Sequence, residues 1–266
     1  MKTALTIAGS DSCGGAGIQA DIKSMSANGV YAMSVITAVT AQNTQGVFGI
    51  QDISPEMIES QIDVLFDDIL HIDAIKIGMV SKVESIKAIS KSLRKVKNLP
   101  PVVLDPVMVS TSGSNLLSVD AKETLIKELF PLSIVITPNL YEAEALLGKK
   151  IKNVEDMKKA CVELKKLGSK YVLVKGGHLD VEATDVLYDG DNFTLIGGKI
   201  IKTKNKHGTG CTLSSAIAAN LAKGMTMEEA VKEAKRYITI AIEHNIDLGK
   251  GCGPTNHFYE LFHKEN

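Results

Sequence analysis

The sequence predicts a three-layer α/β fold in which a mostly parallel central sheet is flanked by helices. Short apolar runs alternate with longer amphipathic runs, which is typical of parallel strands joined by right-handed helical crossovers. Several short runs (ALTIA, PVVLD, SIVIT and YVLVK) are apolar on both faces, as expected when helices cover both sides of a sheet. The 266 residues, 44% of them hydrophobic, suffice for one large core. We therefore expect residues 1–266 to form a single domain without a repeat or linker.

Strands are predicted at short apolar and β-branched runs bounded by turn residues. In chain order these are Ala4–Ala8, Ala32–Val39, Ala74–Ile77, Val102–Leu104, Ile134–Ile136, Tyr171–Val174, Asp185–Tyr188 and Phe193–Ile196. The last two are separated by turn residues and alternate apolar with polar positions. They are therefore expected to form an antiparallel hairpin near one edge of the sheet.

Helices are predicted at the longer amphipathic runs between these strands. In chain order these are Gly17–Ala27, Pro55–Ile69, Val83–Val96, Ala121–Leu129, Tyr141–Leu147, Glu155–Leu167, Thr212–Ala222 and Met227–Asn245. Their alternation with the strands favours one open sheet with helices on both faces.

Composition excludes several classes of protein. The net charge is −1, aromatic residues make up 5%, and there is no basic block, which argues against a nucleic-acid surface. No apolar run approaches membrane-spanning length, and residues 1–8 are too short for the core of a signal peptide. The cysteines are widely spaced without a CxxC pair, which favours free thiols in a reducing cytoplasm over a zinc site: Cys13, Cys161, Cys211 and Cys252.

Glycine and polar residues follow many of the predicted strands. Ligands of an open α/β sheet bind beyond the carboxyl ends of its parallel strands, so these loops are expected to meet at a ligand site. The loops are Gly9–Gly17, Thr40–Thr44, Gly78–Met79, Asp105–Met108, Thr137–Asn139 and Lys175–His178. Packing alone does not account for such a repeated pattern.

The segment Gly208-Thr209-Gly210-Cys211 precedes a helix of small and apolar residues. Two glycines allow the backbone N–H groups to form a concave nest, and the helix adds unpaired donors and the positive end of its dipole. An anion site is one interpretation; a glycine turn before a tightly packed helix is the other. Cys211 falls in the first helical turn, where the pKa of a thiol tends to be lowered.

The sequence does not match either of two common nucleotide-binding motifs. The phosphate loop GxxxxGK[ST] is absent from the sequence. Gly15-x-Gly17-x-x-Ala20 resembles a dinucleotide fingerprint, but it begins several residues beyond its strand, and no acidic residue ends the second strand. The Gly208–Cys211 segment remains the candidate for holding the negative charge of a moving phosphoryl group.

A set of motifs along the whole chain resembles one enzyme family. In order they are GSDSCGGAGIQAD (9–21), TAQNT (40–44), KIGM (76–79), DPVM (105–108), TPNLYEAE (137–144), VKGGH (174–178), KHGTGCTLS (206–214) and GPTNHF (253–258). Together they resemble the hydroxymethylpyrimidine/phosphomethylpyrimidine kinases of thiamine synthesis, in the ribokinase-like superfamily. The resemblance implies ATP-dependent phosphorylation of 4-amino-5-hydroxymethyl-2-methylpyrimidine, first to the monophosphate and then to the pyrophosphate, with ATP and Mg²⁺ bound.

Residues for the pyrimidine follow from this resemblance. Gln42 has a donor and an acceptor suited to an aminopyrimidine edge, and the family's matching glutamine binds substrate; a loop amide bonding its own backbone is the alternative. Asp21 could accept from the substrate's amino or hydroxyl group, or be an ordinary carboxylate on a helix surface. Gly9 would let the substrate approach the backbone. Met79 and Val107 are expected as pocket walls or as plain core.

Residues for ATP and metal come from other strand ends. Lys175 resembles the family's ATP-contacting lysine, the alternative being a strand-end lysine whose ammonium reaches solvent. Asn139 and Glu142 match a family NxxE pattern that supports magnesium, often through water; helix capping by Asn139 with an exposed Glu142 is the alternative. Asp105 precedes a proline, so its backbone is extended and its carboxylate is expected to point toward ATP.

The expected mechanism joins these positions. Backbone donors of Gly208, Thr209 and Gly210 would receive the phosphoryl group, and Cys211 would be the base for the substrate hydroxyl. A neutral thiol that only shapes the nest is the alternative for Cys211. His178 and His207 are left outside the catalytic set.

Two other functions remain open at this point. Pyridoxal is also a flat ring with a hydroxymethyl group, and its aldehyde could react reversibly with Cys211. A catalytically silent protein that binds nucleotide or vitamin precursors would be expected to lack an intact nest or Lys175 and Asn139, which are present here. Family members are often dimers, so a homodimer is the protein partner that the resemblance suggests.

Overall fold

Residues 1–108, 117–177 and 183–263 are described by a computed structural model of the chain. Within these ranges, nine strands form one sheet. They are Thr3–Asp11 (β1), Tyr31–Asn43 (β2), Gly46–Asp52 (β3), Ala74–Ile77 (β4), Val102–Leu104 (β5), Val135–Ile136 (β6), Tyr171–Val174 (β7), Asp185–Tyr188 (β8) and Phe193–Ile196 (β9).

The strand order is β3-β2-β1-β4-β5-β6-β7-β8-β9. Neighbours from β2 to β7 pair in parallel, whereas β3 is antiparallel to β2, and β8 and β9 form an antiparallel hairpin beside β7. The predicted hairpin at the edge is thus confirmed. The parallel strands all end at the same edge of the sheet, where their polar loops gather.

Helices connect and cover these strands. They are Gly17–Ala27 (α1), Pro55–Asp68 (α2), Val83–Lys95 (α3), Val119–Glu128 (α4), Leu140–Leu147 (α5), Val154–Lys165 (α6), Thr209–Ala222 (α7), Met227–Glu243 (α8) and Tyr259–Phe262 (α9). A one-turn 3₁₀ helix at Phe130–Leu132 follows α4. No helix of the described ranges is both long and apolar enough to span a membrane.

Two apolar cores lie on opposite faces of the sheet. In β5, Val102 and Leu104 belong to the core shared with α2 to α6, whereas Val103 belongs to the core shared with α1, α7 and α8. This assignment follows from the alternation of side chains along a strand. The predicted three-layer fold is confirmed.

The sheet edge beyond β2 differs from the sequence prediction. Residues 40–43 were expected in a loop but extend β2, because Gly46–Asp52 returns beside them as the antiparallel strand β3. The sequence prediction missed β3, whose apolar residues are separated by Gly49 and are largely exposed. Its pairing with β2 shifts register between Ala41 and Gln42, which is a common feature near functional sites.

The start of α7 also differs from its prediction. The helix begins at Thr209 instead of Thr212, with Gly208 as its N-cap at φ 76°. A glycine is required at this left-handed position, since an added Cβ would also collide with the carbonyl oxygen of Gly15. The Gly208–Cys211 segment is therefore the first turn of α7 together with its cap.

Candidate active site

A cavity of about 780 Å³ opens at the carboxyl edge of the parallel strands. Its wall includes Gly9 and Gln42 from β1 and β2, residues 208–211, and part of α8. Glycine loops and α7 thus share one cleft with the ends of the first two strands.

The first turn of α7 forms one wall of this cleft. The N–H of Thr209 and its hydroxyl both donate to the carbonyl oxygen of Lys206, at 3.3 and 2.7 Å. The expectation that the Thr209 N–H receives the phosphoryl group is therefore not met in this conformation. Gly210 and Cys211 follow in the first turn, where N–H groups have no partner within a helix. These two amides point to an anion site.

A buried ion pair lies directly beside the first turn of α7. Lys175 Nζ is 2.8 Å from Asp105 Oδ1, which also accepts from the Thr137 hydroxyl at 3.0 Å. A Cβ added to Gly210 would lie 3.1 Å from Asp105 Oδ2 and 3.3 Å from Lys175 Nζ. Burial lowers the pKa of Lys175, but Asp105 and Glu142 outweigh it and raise the pKa, so the ammonium stays charged. The positively charged Lys175 therefore lies next to the first turn of α7.

Asn139 and Glu142 form a reciprocal capping box at the start of α5. The Asn139 side chain accepts from the N–H of Glu142 at 2.9 Å, and Glu142 Oε2 accepts from the N–H of Asn139 at 2.8 Å. The capping alternative for Asn139 is confirmed, but Glu142 is 6% exposed, not an exposed carboxylate. Both residues also line the cleft. Capping and ligand binding are therefore compatible here.

Burial changes the acidity of Glu142. It raises the pKa to about 7; Lys175 acts in the opposite direction, while Asp105 raises the value further. Near neutral pH, this carboxyl group is thus present in both its protonated and its ionised form. A bound cation would favour its charged form.

The prediction of a lowered thiol pKa for Cys211 is wrong. Burial raises the pKa to about 11; the nearby Lys76 lowers it, but the negative charges of Asp21 and Asp105 raise it further. These effects outweigh the helix N-terminus. At neutral pH, Cys211 therefore carries a neutral thiol.

Asp21 does not reach the cleft, contrary to the sequence prediction. Its side chain is fully buried, with both oxygens 2.8 Å from Lys76 Nζ. The hydroxyls of Thr6 and Ser215 donate to it at 2.6 and 2.7 Å. Because these partners occupy the carboxylate, Asp21 supports the floor of the site instead of binding substrate.

The remaining residues expected for substrate all line the cleft: Gly9, Gln42, Met79 and Val107. Gly9 lacks a side chain where a Cβ would lie 2.7 Å from Met79 Cε, so it makes room for the methionine. The backbone of Gln42 exchanges two hydrogen bonds with the Ser12 hydroxyl, at 2.7 and 2.8 Å. These contacts fix the chain at Gln42, whose side-chain amide oxygen accepts from the Thr40 hydroxyl at 3.2 Å and whose amide nitrogen lies 3.3 Å from His207 Nε2.

Sequence reasoning missed a buried pair beside Gln42. His207 Nε2 lies 2.8 Å from Asp11 Oδ2. Asp11 also accepts N–H groups from Cys13, Gly15 and Ala16. In the sequence, only the turn pattern Asp-Ser-Cys-Gly indicates that Asp11 accepts backbone hydrogen bonds. His178, also set aside, lies outside the described residues.

The far end of the cleft was also missed. It is lined by Ile238, Thr239 and Ile242 of α8 and by the ion pair between Lys235 and Asp185, whose atoms are 2.8 Å apart. The sequence predicted only a helix over these α8 residues, and periodicity cannot distinguish a core face from a cleft wall.

The fold and the cleft define an enzyme that transfers a phosphoryl group to a small molecule. The first turn of α7, Lys175, Asp105 and Glu142 all line this one cleft. The family model of phosphomethylpyrimidine kinase matches residues 11–256. The chain belongs to this family of kinases.

Individual relatives agree with this family. A hydroxymethylpyrimidine/phosphomethylpyrimidine kinase of Rhizobium meliloti is 52% identical over 96% of this chain and 97% of its own length. The crystal structure of a phosphomethylpyrimidine kinase from Clostridium difficile is 52% identical, with a TM-score of 0.81, covering 91% of this chain and all of that one (100%). A pyridoxal kinase of Bacillus subtilis, solved as an ADP complex, has a TM-score of 0.90 at 39% identity, covering 98% and 99% of the two chains.

Proposed function

We propose that this enzyme phosphorylates 4-amino-5-hydroxymethyl-2-methylpyrimidine with ATP, first to the monophosphate and then to the pyrophosphate. The observation that carries the proposal is the continuous cleft from Gln42 to the first turn of α7. An alcohol held at one end would lie close to an anion site at the other. The family and the relatives named for both steps support this substrate.

The pyrimidine fits the end formed by β1 and β2. The amide of Gln42 offers both a donor and an acceptor, which suits a ring nitrogen beside an amino group. Met79 and Val107 supply apolar surface for the ring. Gly9 makes room for the Met79 side chain that forms this surface. The hydroxymethyl group would then point toward Cys211.

ATP fits the other end. The N–H groups of Gly210 and Cys211 and the ammonium of Lys175 would receive the phosphates, and the α8 wall would receive the base. The ADP complex of the Bacillus subtilis pyridoxal kinase supports this use of the nucleotide. In the resting protein Lys175 is paired with Asp105, so phosphate would compete with that carboxylate.

The carboxylates of Asp105 and Glu142 provide the oxygen ligands that Mg²⁺ prefers. Among the described residues, no three His, Cys, Asp or Glu side chains converge on a metal position. In this proposal, Asp105 and Glu142 would hold Mg²⁺ together with phosphate oxygens and water. When bound, the ion would neutralise phosphate charge.

The chain's own residues contribute mainly position and charge. The Gln42 end orients the alcohol, and Lys175 with the two amides stabilises negative charge that moves between the phosphoryl oxygens. The neutral thiol of Cys211 favours the alternative in which it shapes the nest and is not the base.

The expected homodimer and location belong to the same proposal. Exposed apolar side chains on the β2–β3 edge, namely Val39, Phe48 and Ile50, support contact with a second copy. The four free cysteines support a reducing compartment such as the cytoplasm.

Pyridoxal is the second candidate substrate. The likeness to the Bacillus subtilis pyridoxal kinase favours it, and Cys211 lies in the cleft where its thiol could add to an aldehyde. The addition would form a hemithioacetal, with the thiol proton passing to the carbonyl oxygen. A side activity on this ring is compatible with the main proposal.

An ADP-release assay separates these substrates. Hydroxymethylpyrimidine, its monophosphate and pyridoxal are offered in parallel at equal concentrations. We expect the highest kcat/KM for the two pyrimidines. ADP release with pyridoxal alone would overturn the proposal.

The Gln42→Ala variant tests where the pyrimidine binds. Loss of the amide should raise the KM for hydroxymethylpyrimidine at least about tenfold, because two hydrogen bonds are lost, while the KM for ATP stays unchanged. An unchanged pyrimidine KM would exclude Gln42 from the substrate site.

A further inference from the structure

The GPTNHF motif at residues 253–258 has no part in the proposed mechanism, yet the chain that enters it lies beside the cleft. Residues 251–254, here called the C-terminal strap, form backbone hydrogen bonds on two sides. One side is the residue that follows β2, and the other is the segment that precedes α7. The strap thus connects the two parts of the chain that carry the proposed substrate end and the proposed anion nest.

On the first side, the strap binds Thr44, two residues beyond Gln42. The N–H of Cys252 donates to the carbonyl oxygen of Thr44 at 2.8 Å, and the N–H of Gly251 donates to its hydroxyl at 3.1 Å. A Cβ added to Gly251 would collide with the same carbonyl oxygen, so this close approach requires a glycine. These contacts hold the end of β2, where the proposed substrate ligand Gln42 lies.

On the second side, the strap binds the buried side chain of Asn205. Asn205 Oδ1 accepts from the N–H of Gly253 at 2.8 Å, and Nδ2 donates to Oδ1 of Asn245 at 2.8 Å. Because a backbone N–H only donates, Asn205 must present its oxygen to Gly253 and its nitrogen to Asn245. Asn245 Nδ2 in turn donates to the carbonyl oxygen of Ile242 at 2.8 Å, which leaves its own oxygen free to accept. The orientation of the Asn205 amide is therefore fully determined.

The motif also contacts the chain on both sides of the first turn of α7. Before this turn, the N–H of His207 donates to the carbonyl oxygen of Gly253 at 3.1 Å. His207 directly precedes Gly208, the N-cap of the helix. After the first turn, the hydroxyl of Thr212 lies 3.0 Å from His257 Nε2. The start of α7 is thus held against the C-terminal segment.

The strap joins parts of the chain that are distant in sequence. Gly251 binds Thr44 across 207 positions, and Gly253 binds Asn205 across 48. Transfer of a phosphoryl group requires the attacking oxygen at a set distance from the group, and a displacement of about 1 Å can lower the rate about a hundredfold. The separation between the Gln42 end and the first turn of α7 therefore matters for turnover.

We propose that Asn205 is a positioning residue that, through the C-terminal strap, sets the separation between the phosphoryl acceptor at Gln42 and the first turn of α7. The inference rests on the proposed function for the place of the acceptor, and it goes further by giving a role to the GPTNHF motif. Asn205 and Thr44 are not part of the cleft lining. Loosening the strap should therefore disturb the alignment of the two ligands while each ligand keeps its own contacts.

Asn205→Ala removes both side-chain hydrogen bonds and no group of the cleft lining. We expect kcat to fall about ten- to a hundredfold with whichever acceptor the wild type phosphorylates, because transfer needs alignment. The Kd values of ADP and of the acceptor, each measured alone by calorimetry, should stay unchanged. An unchanged kcat, or a loss confined to the Kd values, would overturn the inference.

Thr44→Val tests the other side of the strap and does not depend on whether Asn205→Ala folds. It removes the acceptor for the Gly251 N–H, while the bond between Cys252 and the Thr44 carbonyl oxygen remains. The loss of one hydrogen bond should lower kcat about two- to tenfold, again with unchanged Kd values. Wild-type kcat in Thr44→Val would show that the strap is not the link and would overturn the inference.

Asn220→Ala is the matched control. Asn220 is also buried, and its Nδ2 donates to the Ala230 carbonyl oxygen at 3.1 Å, which joins α7 to α8. This variant should lower the free energy of unfolding and keep the wild-type kcat. If Asn220→Ala lowers kcat as much as Asn205→Ala, the loss reports only general destabilisation and the inference is wrong.

Hydrogen exchange separates this inference from the proposed function, because it needs no turnover. The N–H groups of Gly251 and Cys252, followed by NMR, should exchange at least about tenfold faster in Asn205→Ala than in the wild type, since the strap opens locally more often. Unchanged exchange would overturn the inference even in an active enzyme. A wild type that phosphorylates neither the pyrimidines nor pyridoxal would refute the proposed function alone.

Discussion

Burial sets the charge of two side chains beside the proposed anion nest. Cys211 has a pKa of about 11 and Glu142 a pKa of about 7, and in both cases the loss of solvent is the largest cause. The sequence placed Cys211 at a helix N-terminus, where a lower value was expected. At the residue scale, the surroundings on neighbouring elements therefore decide the chemistry.

Cys211→Ala tests the role of the thiol. A neutral thiol contributes shape and not base catalysis, so kcat should fall by less than about tenfold, whereas loss of a general base costs about 10²–10⁴. Cys252→Ala, which removes a partly buried free thiol outside the cleft lining, is the control. A drop in kcat beyond a hundredfold in Cys211→Ala alone would restore the thiol as the base.

Glu142→Gln tests how much folding stability is lost when the buried carboxyl group of Glu142 ionises. The folded-state pKa of about 7 exceeds the ordinary value of 4.5, so the folded protein holds a proton that the unfolded chain releases between these values. Stability therefore falls as pH rises through this window. Glutamine keeps the capping box but cannot ionise, so its Tm should exceed that of the wild type at pH 8, by about 2–4 °C for each kcal/mol.

The same variant should lose function while it gains stability. The Tm difference should vanish near pH 4.5, and kcat at limiting Mg²⁺ should fall, because an amide is a weaker ligand than a carboxylate. A Tm gain that is equal at both pH values would show that ionisation is not its cause.

At the scale of elements, the start of α7 depends on the loop before α1. Gly208 has φ 76°, and a side chain there would collide with the Gly15 carbonyl oxygen and come within 3.1 Å of Ala16 Cα. Gly224, just beyond the other end of the same helix, has φ 88° with no atom within 4 Å of an added Cβ. The two glycines therefore share a backbone conformation but differ in close contacts.

Alanine substitutions at Gly208 and Gly224 distinguish the effect of backbone strain from the effect of a steric collision. Gly224→Ala should cost about 1–2 kcal/mol in free energy of unfolding and leave kcat/KM unchanged. Gly208→Ala should lower kcat/KM more than about a hundredfold, because the nest must shift away from residues 15 and 16. Urea unfolding and steady-state kinetics on both variants test this. Similar kinetics in the two would mean that the collision is relieved without moving the nest.

Across the whole molecule, one buried cluster joins β1, β4, α1 and α7 beneath the site. Asp21 and Lys76 are both fully buried, and the hydroxyls of Thr6 and Ser215 complete the carboxylate's hydrogen bonds. Burial lowers the pKa of Lys76, but the charge of Asp21 outweighs it and raises the pKa. Lys76 therefore stays charged, and its bonds to Asp21 connect β4 to α1.

Lys76→Met should leave an isolated buried carboxylate and lower the free energy of unfolding by about 3–5 kcal/mol. Adding Asp21→Asn removes that charge and keeps an acceptor for the two hydroxyls, so the double variant should regain at least half of the loss. Guanidinium unfolding measures both. A double variant that is as unstable as the sum of the single variants would contradict the role of the charge pair.

Local patterns in the sequence predicted most of the fold and the family. Apolar alternation and turn residues gave eight of the nine strands in the described residues, and the strand-end loops predicted the edge at which the cleft lies. The ordered motifs gave a kinase family that the comparisons confirmed. These features depend on neighbours within a few positions, which periodicity reports well.

Tertiary structure alone decided which side chains act together. Asp11 meets His207 across 196 positions, and Asp21 meets Ser215 across 194. The same long-range packing raises the pKa of Cys211 and buries Asp21 against Lys76, outside the cleft. Hydrogen-bond partners and desolvation depend on what the fold brings within a few ångströms, and that information is absent from any local stretch of the chain.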